Sequence, residues 1–255
     1  LGGASDLLNF GKKAAEANKE ITEAEEIELG EGIAARLLGA APLVEDEGLQ
    51  RYVNRVGLWL ALQTERPGLP WRFGVMDSDN VNAFALPGGI VLITRGLYER
   101  LRDESELAGV LGHEISHVVR KDQVNAIRGA MGREWTVSVA GEFAGRSDNE
   151  LTRRFGQKAF KAGTEVFARG RDKKDEYDAD LAGMVVAARG GYNPYGIAGV
   201  LQTLDASSAE DRRMALLMST HPTAASRLER LEAAVGSKLD AYAGAPDAGR
   251  LYPLK

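Results

Sequence analysis

The chain has 255 residues, 44% hydrophobic and 27% charged, with a net charge of −5 and no cysteine. That balance excludes a disordered chain, a disulfide-stapled scaffold and the basic stripe of a nucleic-acid binder, and it leaves room for one sizeable domain. No run of about 18 apolar residues is present, so no transmembrane helix is expected. Taken in chain order, residues 5–39 read as helix, with acidic and alanine-rich turns interrupted by Gly30 and Gly32. A second helix follows Pro42, where Leu49, Tyr52, Val53, Val56 and Leu60 recur at helical spacing until Pro67-Gly68 ends the pattern. Residues 71–76 and 89–94 are β-rich, 82–86 lie between them, and Pro87-Gly88-Gly89 punctuates a turn. A small sheet of three or four strands is expected, followed by a short connecting helix over 95–102.

Asp103 and Glu106 have the spacing of a capping box, and Leu107, Val110, Leu111, Ile115 and Val118 supply an apolar face, which predicts a buried helix over 103–126. Inside it stands His113-Glu114-Ile115-Ser116-His117, which uses two of the three histidines in the chain. On a helix, positions i and i+4 share a face, so both imidazoles can reach one metal ion. Glu114 beside them can take a proton from a water that the metal acidifies, which is the chemistry of amide hydrolysis. The plain alternative is a helix with two satisfied core histidines and an ion-paired Glu114.

Residues 128–171 have the charge and apolar spacing of one or two amphipathic helices, which could form a lid or a partner surface. The basic cluster at 169–174 is neutralised by the acids that follow and reads as a solvated helix start. A helix over 172–190 then runs from Asp172 to the Gly190-Gly191 stop. Catalytic zinc normally takes three protein ligands; cysteine is absent and the only other histidine is His221, so the search for the third turns to carboxylates in a helical setting. Glu176 and Asp180 fall on one face of this helix. The first could bind the metal, and the second could orient a ligating histidine through its other ring nitrogen. Without the upstream motif, such an acidic start would be no more than a solvated face favoured by the helix dipole. Further helices are expected over 193–204, 209–219 and 224–234, the last with Leu228 and Leu231 inward, before an irregular tail.

The helix His-Glu-x-x-His followed about sixty residues later by Glu-x-x-Ala-Asp resembles the metallopeptidases of the HtpX and CAAX prenyl endopeptidase type, metallopeptidase family forty-eight, within the gluzincins. Asn82-Ala83-Phe84-Ala85-Leu86-Pro87-Gly88-Gly89 is similar to the strand and turn before that family's active-site helix. His221-Pro222 with Arg227 resembles its C-terminal signature. These segments span about 80–230 in the family's order. The resemblance implies His113, His117 and Glu176 as ligands of one Zn2+ per chain, Glu114 as general base and Asp180 as orienter. It adds Asn82, Ala83, Phe84 and Ala85 as an edge that binds polypeptide substrates as an extended strand; a purely structural hairpin is the alternative there.

The implied fold is α+β and predominantly helical, a zincin-like domain with its small sheet beside the active-site helix. Residues 1–240 are expected to form one domain: helices over 1–66, sheet over 71–94, active-site helix over 103–126, Glu-ligand helix over 172–190 and C-terminal helices over 193–235, with 241–255 as tail. By resemblance to soluble quality-control proteases, the expected location is the bacterial periplasm or outer-membrane periphery, with an outer-membrane or assembly-machinery partner. The chain shows no charged segment leading into an apolar signal region, so any signal peptide is expected to be absent or removed.

His221 and Arg227 are candidates for stabilising the developing oxyanion. His221 could instead occupy the fourth coordination position as a latch, or simply pack its loop. Three function classes follow: an active zinc endopeptidase on unfolded or misassembled proteins, a latent protease or chaperone-like binding module, and a metal-free helical scaffold. Two histidines and a carboxylate suit zinc but would also accept cobalt, manganese or iron.

Overall fold

The computed structural model describes residues 21–131, 172–207, 211–243 and 251–254. Helix α1 (Glu23–Ala40) begins at Thr22, whose hydroxyl accepts from the Glu25 N–H while the Glu25 carboxylate accepts from the Thr22 N–H, a capping box that satisfies two otherwise orphaned donors. It runs through Gly30 without a break. A Cβ at Gly30 would stand 1.8 Å from the Pro87 carbonyl oxygen, so the missing side chain lets α1 lie directly on the turn of the sheet. Helix α2 (Glu47–Ala61) is capped by Asp46 and buries Leu49, Tyr52, Val53, Val56 and Leu60, the stripe its periodicity predicts.

Strands β1 (Arg72–Met76), β2 (Ala83–Leu86) and β3 (Ile90–Thr94) form one sheet in the order β1-β3-β2. β1 pairs parallel to β3, and β2 pairs antiparallel to it with Phe84 opposite Leu92 and Ala85 opposite Val91. β2 is therefore an edge. The turn from β2 to β3 takes left-handed backbone at Gly88 (φ 76°) and Gly89 (φ 101°), which glycine adopts without a Cβ penalty. One face of the sheet, carrying Val75, Ala85, Val91 and Ile93, packs into a core shared with α2 and the central helix. The other, carrying Phe84, Leu86 and Leu92, packs against Ile33 and Ala34 of α1 and against Val124 and Ile127.

A short helix α3 (Arg95–Tyr98) leads to the central helix α4 (Glu104–Val119), then α5 (Asp122–Met131), α6 (Lys173–Arg189), α7 (Gly196–Asp205), a 3-10 turn at Arg212–Met214, α8 (Ala215–Thr220), α9 (Ala224–Val235) and α10 (Asp240–Ala243). The architecture is α+β and predominantly helical, as expected. α4 is buried all round from Ser105 to Val118 because α6 and α7 approach it backbone to backbone. A Cβ at Gly112 would lie 2.9 Å from the Gly183 carbonyl oxygen, and one at Gly109 would lie 2.4 Å from the Ile197 nitrogen.

Some details depart from the sequence reading. The helix expected over 103–126 is two helices, because the chain reverses at Lys121 (φ 59°) after α4 ends. The capping box at its start is half made: Asp103 accepts from the Glu106 N–H, but the Glu106 carboxylate turns to Arg102. The segment expected as a helix over 209–219 is the 3-10 turn followed by α8, with 208–210 outside the described residues. The amphipathic helices expected over 128–171 lie outside the described residues beyond Met131, as do the first turns of the helix expected over 5–39 and most of the tail.

One buried ion pair ties these pieces together. Glu26 of α1, fully buried, accepts two 2.9 Å bonds from Arg66 and a 3.2 Å bond from the Gly88 N–H, while Arg66 also donates to the Val118 carbonyl at 3.3 Å. Among the described residues, removing Glu26 would leave Arg66 only the more exposed Glu23, 3.3 Å away, as an acidic partner. Glu26→Ala should destabilise the protein by about 3 kcal/mol in urea unfolding, whereas loss of the exposed Arg51–Glu47 pair should cost less than about 1 kcal/mol.

Candidate metal centre

The four-residue spacing on α4 brings His113 and His117 together, with their Nε2 atoms 3.2 Å apart. Across the Gly112–Gly183 contact, α6 presents Glu176. Its Oε2 lies 3.6 Å from His113 Nε2 and its Oε1 lies 3.4 Å from His117 Nε2. His117 and Glu176 are fully buried and His113 is 3% exposed. The two imidazoles thus converge on the Glu176 carboxylate, each facing a different one of its oxygens. His221, at the end of α8, comes to the same place: its Nδ1 contacts Glu176 Oε2, and ligand atoms of His113, Glu176 and His221 all lie within 4.8 Å of one another.

Each α4 histidine is held from behind by a carboxylate. Asp180, one turn after Glu176, accepts from His113 Nδ1 at 2.8 Å, and Arg227 of α9 grips Asp180 with Nε at 2.8 Å and with Nη2. His117 Nδ1 meets Asp122 Oδ2 at 2.8 Å. The sequence reading anticipated Asp180 in such a role and assigned none to Asp122. Arg227, a candidate oxyanion stabiliser from the sequence, has its guanidinium on Asp180 and its Nη2 3.3 Å from His113 Nδ1.

The electrostatics follow from this packing. Burial would push the Glu176 carboxyl up, but His221, His113 and His117 around it hold it well below the usual range. Asp180 is likewise held low despite burial, because Arg227 and His113 face it. For His113, burial acts to lower the pKa and Arg227 adds to that, yet Asp180 and Glu176 outweigh both and raise it to about 9 without metal.

Glu114 is 2% exposed and points along the other side of His113, with its Oε1 4.0 Å from His113 Nε2. It lines a cleft of about 30 Å³ together with Ala83, His113, Leu217, His221 and Arg227. This is room for one or two waters. Asn82 pairs with Thr94 of β3, its carbonyl accepting from the Thr94 N–H at 3.0 Å. Because antiparallel pairs alternate, the backbone groups of Ala83 and Ala85 point away from β3, while those of Phe84 point to it; in this structure all four residues of β2 are buried, Ala85 fully. The Val81 N–H, one step before Asn82, is taken by the Arg213 carbonyl at 2.8 Å, so the turn before α8 lies against the start of this edge. Of the sequence-derived substrate residues, Ala83 reaches the cleft. Phe84 packs on the opposite face of the sheet, in the core shared with α1.

Comparison with known proteins gives the chain a family. The chain is 29% identical over 223 residues to the beta-barrel assembly-enhancing protease of Escherichia coli, covering 83% of this chain and 44% of that protein. It is 26% identical over 182 residues to the mitochondrial metalloendopeptidase OMA1 of Schizosaccharomyces pombe, covering 71% of the chain and 51% of that protein. To the Escherichia coli metalloprotease LoiP it is 27% identical over 173 residues, covering 67% and 65%. The chain thus spans about half the length of most of these relatives. The model of Peptidase family M48 matches residues 47–235, from the first turn of α2 to the last of α9, and the chain belongs to that metallopeptidase family.

Proposed function

We propose that this protein is a zinc endopeptidase in which His113, His117 and Glu176 hold one Zn2+ and Glu114 is the general base. The observation that carries the reading is the ligand triangle. Tetrahedral zinc with bonds of 2.0–2.1 Å needs ligand atoms roughly 3.3–3.4 Å apart; the two Nε2 atoms are 3.2 Å apart, and the Glu176 carboxylate that closes the triangle lies 3.6 Å from His113 through Oε2 and 3.4 Å from His117 through Oε1. The donor set fits. When bound, the metal would polarise the scissile carbonyl and acidify water from a pKa near 16 to about 7. Glu114 takes the proton from the attacking water and delivers it to the leaving amine, from a position beside the ligands but outside their triangle. Asp180, anchored by Arg227, fixes the His113 tautomer so that Nε2 faces the triangle.

The substrate in this reading is an unfolded or misassembled polypeptide, added to the edge of β2 as a further strand through the backbone of Ala83 and Ala85. Asn82, 2% exposed, has a side-chain oxygen with no hydrogen-bond partner among the described residues, which suits a contact to that strand. Likeness to a beta-barrel assembly-enhancing protease supports an outer-membrane or assembly-machinery partner and a bacterial periplasmic location. Among the described residues no helix is long and apolar enough to cross a membrane. The test is hydrolysis of casein or a quenched peptide. It should stop on removal of the metal with a chelator and return with stoichiometric zinc; cleavage indifferent to chelation would contradict the reading.

A second reading, latency, is favoured by one observation: the cleft in front of Glu114, lined by Leu217 and His221 among others, holds only about 30 Å³, too little for a peptide. In that state His221 is a latch. His221→Ala should then raise peptidase activity, whereas a transition-state role predicts a fall of roughly 10²-fold. Unchanged activity would remove both roles and leave His221 as a loop-packing residue.

A further inference from the structure

The two α4 histidines sit at the head of two relays of the same chemistry. One is His113–Asp180–Arg227, buried throughout. The other is His117–Asp122–Arg120, and it runs outward: Asp122 is 8% exposed, and the Arg120 side chain is 30% exposed. Arg120 Nε lies 3.4 Å from the same Asp122 Oδ2 that meets His117, while its other nitrogens reach Asp175 at 3.3 Å and Asp178 at 3.4 Å. Those two acids flank Glu176 on α6. A single guanidinium therefore joins the carboxylate behind one ligand to the helix that carries another.

The backbone at this point is unusual. Lys121 is the one non-glycine residue with positive φ among the described residues, and it stands between Arg120 and Asp122. A side chain is rarely held there unless the surroundings demand it, and such outliers gather at functional sites. Here the reversal ends α4 and returns Asp122 beneath His117, which a continuing helix would not do. We propose that Asp122 is a positioning residue for His117 and that Arg120, bridging Asp122 to Asp175 and Asp178, holds the two ligand-bearing helices in register, so that this outer relay sets how tightly the metal is retained. The inference rests on the zinc reading above.

The competing explanation is that Asp122 serves only as an acid in the first turn of α5, where the helix dipole favours one. Asp122→Ser separates the two, since serine suits a helix start but offers His117 no carboxylate. The readouts are zinc affinity by competition with a chromophoric chelator, the visible absorption of the cobalt-substituted protein, and the melting temperature of the metal-free protein. Asp122→Ser should weaken zinc binding by about 10- to 100-fold and alter the cobalt bands, beyond what any fall in the metal-free melting temperature accounts for. Asp122→Asn, which can still accept from Nδ1 without charge, should lose less and keeps the test decisive if the serine variant folds poorly. Arg120→Ala should weaken binding several-fold, and Arg120→Lys should recover only part, because lysine cannot bridge three carboxylates with a planar fork. Wild-type affinity and cobalt spectrum in both Asp122 variants would overturn the inference while leaving the zinc reading standing. A wild type that binds no zinc would overturn both.

Discussion

Glu114→Gln should lower peptide hydrolysis by roughly 10²- to 10⁴-fold and leave the metal content unchanged. The substitution keeps shape and volume at a buried position but removes the lone pair that accepts a proton from water. Glu114 lies beside the proposed ligands and lines the cleft with Ala83 and His113, so its carboxylate is within reach of a water there without being among the residues proposed to hold the ion. The measurement is kcat and KM on a quenched peptide together with zinc per chain. A fall in kcat at constant KM and constant zinc identifies a group that acts in the transition state. A variant that keeps wild-type turnover would show that another group moves the proton; one that loses zinc would make Glu114 a ligand.

Gly183→Val should be the most destabilising single change near the site. A Cβ at Gly183 would stand 2.7 Å from the His113 backbone nitrogen and 3.0 Å from the Gly112 carbonyl carbon, all main chain that no rotamer change relieves. Overpacking of a tight core costs about 1–3 kcal/mol, and backbone against branched side chain belongs at or above the top of that range. For a chain of this size, about 3 kcal/mol lowers the melting temperature by roughly 6–12 °C. The same separation of α4 from α6 would pull Glu176 away from His113 and His117, so zinc affinity should fall with stability. Gly183→Ala should show the same two effects at smaller size. A valine variant with wild-type melting temperature would mean that the helices are not in the close contact described.

The contact at Gly183 also shows where sequence reading stops. His113 and His117 are legible because both lie on one helix, where spacing alone decides which side chains meet, and Glu176 and Asp180 share a helix in the same way. Their meeting across α4 and α6 depends on Gly112 and Gly183, which no period marks. Asp122 escaped because a helix reading carries straight through Lys121, and nothing in Arg120-Lys121-Asp122 announces a left-handed residue; glycine or asparagine there would have. The Glu106 carboxylate goes to Arg102 because a full ionic partner and its N–H compete successfully with the Asp103 N–H. The approach of His221 to Glu176, 45 residues apart, and the pairing of Glu26 with Arg66 are tertiary in origin, set by chain segments that have no local reason to meet. The α2 stripe, the sheet with its glycine turn, and helices α7 and α9 follow from periodicity and turn chemistry, and these are the elements that needed little correction.

The central claim is tested most directly by metal content, measured by plasma emission on wild type and Glu176→Ala purified without chelator and offered zinc. One zinc per wild-type chain, lost in the variant, is the result expected if Glu176 completes the site. A wild type that takes up no metal, or a variant that keeps it in full, would contradict the assignment.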